Sequence, residues 1–138
     1  MKREKNRLKS YELWLKHAQS DLNIAEIDQE GILFELRCFH AQQAVEKSLK
    51  AILIAHKKEI SKTHRIDQII HQLSKVIEIP SFVNAAEYLT EYATDLRYPS
   101  DYGILSRDEW KEAIKIARQI VEWVEGIISE IKIKGQQL

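Results

Sequence analysis

Apolar positions recur at intervals of three and four along most of the chain, and no segment alternates as a half-buried strand does. Tyr11, Trp14, Ala18, Leu22 and Ala25 predict a first helix that starts at a Ser10 N-cap and runs to about Gln29. Gly31 marks a tight connection. From there to Lys57 the chain has no Pro and no internal Gly, which predicts one long helix as the spine of the domain. Thr63 or His64 opens a third helix, whose apolar face is Ile66, Ile69, Ile70, Leu73 and Val76. Pro80 ends that segment and Ser81 caps a fourth helix built on Phe82, Ala86, Leu89, Ala93 and Leu96, with Tyr88 and Tyr92 at the edge of its core stripe. Ser106-Arg107-Asp108-Glu109 has the form of a capping box. It starts a fifth helix from Trp110 to about residue 134. The expected fold is all-α, a single five-helix up-and-down bundle over residues 1–138, with residues 1–9 a frayed basic start.

The spine helix sorts its residues by face. At about 100° per residue, Cys38, Ala41, Val45, Leu49 and Ile52 share one side, with Leu33, Ala44, Ala51 and Ala55 beside them. The remaining arc carries His40, Gln43, Lys47 and Lys50 in one row, flanked by Gln42 and Glu46. Leu36, Phe39, Leu53 and Ile54 interrupt it, which suggests a second surface such as a subunit interface. Read plainly, the row is a solvated face and Glu46–Lys50 an exposed i,i+4 pair worth a few tenths of a kcal/mol.

Composition narrows the choices. The chain has 138 residues, 44% hydrophobic and 30% charged, with a formal net charge of zero. That is an ordinary globular domain with no global basic field to recruit nucleic acid, so a nucleic-acid site has to be a local patch. One cysteine, Cys38, excludes an internal disulfide and falls on the apolar face as a buried thiol. No run is long and apolar enough for a membrane span, and the N-terminus lacks a signal-peptide core, so a cytoplasmic location is expected. No two of the five histidines stand at i,i+3 or i,i+4, so no local metal site is expected. There is no glycine-rich phosphate loop and no Gly-x-Ser-x-Gly elbow. The segment richest in chemistry is Arg97-Tyr98-Pro99-Ser100-Asp101-Tyr102-Gly103, where Pro99 and Gly103 enforce a loop.

Three segments carry a family resemblance. Phe39-His40-Ala41-Gln42-Gln43-Ala44-Val45-Glu46-Lys47-Ser48-Leu49-Lys50 resembles the signature helix of the HEPN family, the higher-eukaryote and prokaryote nucleotide-binding domains. Lys62-Thr63-His64 and Arg97-Tyr98-Pro99 follow in the order the family shows. The resemblance implies a helical bundle that often dimerises and is commonly encoded beside a minimal nucleotidyltransferase, many such pairs being toxin–antitoxin systems. Ribonuclease members carry Arg-x(4–6)-His near the end of the fourth helix and cleave RNA without metal. Here Arg97 stands in the Arg position, but no His follows it, and five residues on is Tyr102. An Arg65-x(5)-His71 match lies within the third helix and is read as accidental.

The resemblance therefore implies a nucleotide- or RNA-phosphate-binding protein with a degenerate ribonuclease motif, partnered by a nucleotidyltransferase and forming a homodimer. The expected ligand contacts are Arg97, Tyr98 and Tyr102 from the loop with His40, Gln43 and Lys47 from the spine. No cofactor is expected beyond a bound nucleotide. The alternative is an active metal-independent endoribonuclease toxin, with Arg97 holding phosphate and His40 or His64 as the base. A third reading is a structural interaction module that uses Phe39 and the fifth helix.

Overall fold

A computed structural model of the chain describes residues 9–94 and 105–137. These residues form α1 (Ser10–Ala25), α2 (Phe34–Ala55), α3 (Ile66–Ser74), a 3-10 segment (Ser81–Thr90) that runs directly into α4 (Glu91–Thr94), and α5 (Arg107–Gln137). No strand occurs among the described residues. The all-α bundle expected from the apolar spacing is present, with α2 at its centre packed on every other helix and on the 3-10 segment. Cys38, Ala41, Val45, Leu49 and Ile52 are fully buried, as is Leu53, which belongs to the core rather than to a second surface. Leu33 falls just outside α2 and is 55% exposed, so it does not extend the apolar arc.

Side chains from across the bundle set where the helices stop. α1 ends at Ala25, four residues short of the expected Gln29, because the carbonyls beyond it are engaged elsewhere. Trp110 Nε1 donates to the Ala25 carbonyl at 2.7 Å, and Arg37 Nη2 donates to the carbonyls of Gln29 and Ile32 at 2.6 and 2.8 Å. Gly31, at φ +93°, makes the turn that this path requires. Lys9, not Ser10, occupies the N-cap position of α1, and Ser10 is its first helical residue. Gln19 of α1 donates to Glu125 of α5 at 2.6 Å.

The end of α2 is a Schellman turn. Lys57 N–H donates to the Ile54 carbonyl and Lys58 N–H to the Leu53 carbonyl, each at 2.9 Å. Lys57 takes the left-handed conformation at φ +59°, where glycine is usual. α3 begins at Ile66, later than Thr63 or His64, because Thr63 and His64 present their carbonyls to α2 side chains instead of a helix.

The fourth helix differs most from expectation. Residues 81–90 wind as a 3-10 helix of three residues per turn. The residues fall into three rows at i,i+3. Val83, Ala86 and Leu89 are buried, Phe82 and Ala85 are half-buried beside the outward Tyr88, and Ser81, Asn84, Glu87 and Thr90 form the polar row. Val83 therefore takes the core place expected of Phe82, whose ring packs edge-on against Trp123. Tyr88, expected at the core edge, is 75% exposed. Ser81 is the first residue of the segment and makes no cap bond.

The capping box of α5 forms as its sequence predicts. Ser106 N–H donates to Glu109 Oε1 and Glu109 N–H donates to Ser106 Oγ, both at 3.1 Å. α5 then continues for 31 residues, about 46 Å at 1.5 Å per residue, and its last turns reach the start of α1. No described helix is long and apolar enough to cross a membrane.

Candidate functional site

The polar row on α2 divides between two buried carboxylates. Asp21, on α1 and 8% exposed, accepts from His40 Nδ1 at 2.9 Å through Oδ1 and from Lys47 Nζ at 2.7 Å through Oδ2. The antiparallel packing of α1 on α2 places Asp21 between two residues seven apart on α2, two turns of one helix face. Asp21 was not among the expected site residues. Its signal was nevertheless present, since Trp14, Ala18, Asp21 and Ala25 share one helical stripe and an acid on a buried stripe needs a partner.

Glu46 holds the second cluster. Its side chain is 4% exposed and accepts from Lys50 Nζ at 3.3 Å, from Gln42 Nε2 at 3.2 Å and from His64 Nδ1 at 3.0 Å. Lys50 also donates to the Thr63 carbonyl at 3.0 Å, and Gln42 to the His64 carbonyl at 3.3 Å. Gln43 donates to Gln42 Oε1 at 2.7 Å and so joins the expected row to this network. Glu46–Lys50 is thus a buried ion pair built into the loop before α3, not the exposed surface pair its spacing suggested. A buried pair survives only when its remaining donors and acceptors are satisfied, and here the loop carbonyls satisfy them.

Both histidines have a fixed tautomer. A carboxylate is acceptor-only, so Nδ1 of His40 and of His64 carries the proton, and in the neutral ring Nε2 keeps its lone pair. The His64 side chain is 49% exposed and that of His40 30%. Each is therefore an imidazole oriented through Nδ1, beside a lysine that shares its carboxylate. Lys47 also walls a hollow of about 260 Å³ with Leu13, Trp14 and His17.

The structure thus brings His40 and Lys47 together through Asp21 and reaches Gln43 through Gln42. Arg97, Tyr98 and Tyr102 lie outside the described residues. α4, which leads towards them, is tied to the Glu46 cluster: Ile66 N–H, two residues after His64, donates to Thr90 Oγ1 at 3.1 Å, one residue before α4 begins. Among the described residues no group of three or more His, Cys, Asp or Glu could hold a metal ion. Cys38 is buried in the core, and burial pushes its thiol up to about 12, so it is not a nucleophile at neutral pH.

Comparison with known proteins agrees with the geometry. The family model of the HEPN domain matches residues 11–127. A Methanocaldococcus jannaschii protein described as "Putative toxin MJ1304" is 24% identical over 139 residues, covering 89% of this chain and 91% of its own. Among solved structures, ST0689, an archaeal HEPN homologue, is 30% identical with a TM-score of 0.67 over 88% of this chain and 99% of its own. TT1696 from Thermus thermophilus is 27% identical with a TM-score of 0.58, covering 91% and 98%.

Proposed function

Because the chain belongs to the HEPN family, we propose that it is the toxin-like half of a two-component pair, that it binds the phosphate of a nucleotide or RNA, and that its counterpart is a minimal nucleotidyltransferase. The supporting observation is the Asp21 bridge. It holds His40 and Lys47 side by side at the surface of α2, with lysine donors left over for an anionic ligand. In this reading Arg97 grips phosphate with its planar fork, while Tyr98 and Tyr102 stack or hydrogen-bond. The likeness to a protein described as a toxin supports the toxin-like role. Leu13, Ile24 and Leu36, each between 41% and 49% exposed on α1 and α2, support pairing with a second copy.

A second reading, a metal-independent endoribonuclease, is favoured by the His64–Glu46 contact. With Nδ1–H on the carboxylate, Nε2 is the nitrogen that would take a 2′-hydroxyl proton. A metal-free RNA cleavage assay on wild type, Arg97→Ala and His64→Ala separates the two. Cleavage lost in both variants establishes the nuclease. An intact RNA substrate, with nucleotide binding lost in Arg97→Ala, establishes the binding protein. Nucleotide binding unaffected by Arg97→Ala and by Lys47→Gln removes the first reading.

A further inference from the structure

Three helix ends meet at the opposite end of the α1–α2 pair from the loop that Arg37 holds: the start of α1, the end of α2 and the last turns of α5. Between them is a cleft of about 490 Å³, within the size range of small-molecule sites. Lys9, Lys57 and Lys132 line it, one from each helix end, over a floor that includes Tyr11 and Ile131. Among the described residues Glu12 is the one carboxylate on the wall, and it meets Lys132 at 3.4 Å. Among the described residues the cleft therefore gathers three cations against one anion, in a protein whose formal net charge is zero.

Lys57 adds a separate observation. It is the one non-glycine residue at positive φ among the described residues. A side chain with a Cβ is disfavoured there, and glycine would close the same Schellman turn without that penalty. Holding a lysine in the left-handed region disfavours the fold, and a ligand that pairs with Lys57 offsets that cost.

We infer that this cleft is a second, unassigned site for a phosphorylated ligand, with Lys9, Lys57 and Lys132 as its phosphate contacts and Tyr11 and Ile131 as the apolar wall against the ligand body. It does not depend on the α2 site, since it shares none of its residues.

Calorimetric titration tests this on the full chain in an Arg97→Ala background, which removes the loop arginine proposed for the other site. The probes are inorganic pyrophosphate and a short oligouridylate, which distinguish a free phosphate compound from an RNA strand. Two variants are compared with that background. Lys57→Gly removes a cation while relieving the backbone, so the melting temperature should rise while probe affinity falls about tenfold, as expected for loss of one charge-assisted contact. Gly135→Glu places a carboxylate at the cleft where an added Cβ meets no atom within 4 Å, so affinity should fall with the fold intact. Binding of either probe with both losses supports the site and identifies its source. A Lys57→Gly protein that is more stable but binds as before overturns it, and so does binding of neither probe.

Discussion

Nδ1 of His64 lies 3.0 Å from Oε1 of Glu46, so an imidazole half in solvent is anchored to a carboxylate that is itself 4% exposed. The same carboxylate neutralises Lys50, whose side chain is 6% exposed. One buried acid thus orients a surface histidine and stabilises a core lysine. Glu46→Gln keeps the shape and removes the charge, leaving Lys50 buried without a counter-ion. Urea denaturation should show a loss of about 3–5 kcal/mol. Lys50→Met added to the same chain should recover part of it, because it removes the buried charge left without a counter-ion. A loss below about 1 kcal/mol for Glu46→Gln would show that the pair is solvated.

Asp21 makes the corresponding prediction for the other cluster. Asp21→Asn retains one acceptor but loses the charge that holds Lys47 and the acceptor-only character that fixes the His40 tautomer. Nitrogen chemical shifts of the His40 ring should change from a single Nδ1–H form to a mixture of tautomers. An unchanged ring spectrum would mean that Asp21 does not set the tautomer.

Alkaline pH should destabilise the fold through two groups. Burial raises the Cys38 thiol from 9.0 to about 12, and burial raises the Tyr92 phenol from 10.0 to about 12. Between the unfolded and folded values the native state keeps protons that the unfolded chain has released. Stability is therefore fully present below about pH 9 and falls as pH rises towards 12. Urea midpoints measured across that window should decline, and the slope should flatten in a Cys38→Ala, Tyr92→Phe double variant. The native protein should also resist thiol alkylation at pH 8, reacting only as fast as it opens.

The capping box of α5 offers a simpler check. Ser106→Ala removes the side-chain acceptor for Glu109 N–H and should cost about 1 kcal/mol, read by thermal or urea unfolding. No change would indicate that the first turn of α5 is held by its packing alone.

The apolar spacing carried most of the fold. Trp14, Ala18 and Ala25, or Ala113, Ala117 and Val124, repeat at helical intervals whatever their partners are, so local sequence is enough to reveal them. The capping box and the burial of Cys38 were legible for the same reason. The 3-10 segment was not, because Ala86 and Leu89 fit a period of 3.6 as well as one of 3.0, and only Val83 in place of Phe82 tells them apart. The site was legible as a set of residues but not as an arrangement. Glu46 and Lys50 look like a surface pair until the loop that follows α2 folds back over them at Thr63 and His64, and the spacing of residues along α2 does not show where that loop goes. Asp21 could be flagged as an acid on an apolar stripe, but its two partners could be identified only once α1 lay against α2.

The three rows of the 3-10 segment limit how this protein can change. At three residues per turn, each residue inserted or deleted rotates everything on one side of it by about 120°. With the preceding chain held in place, a single deletion before Val83 would present Asn84, Glu87 and Thr90 to the core in place of Val83, Ala86 and Leu89, and so swing Thr90 away from the Ile66 amide it holds. Only a change of three residues keeps every row on its own side. The segment is graduated in triplets, and lineages related to this chain should differ in length here by three residues or by none.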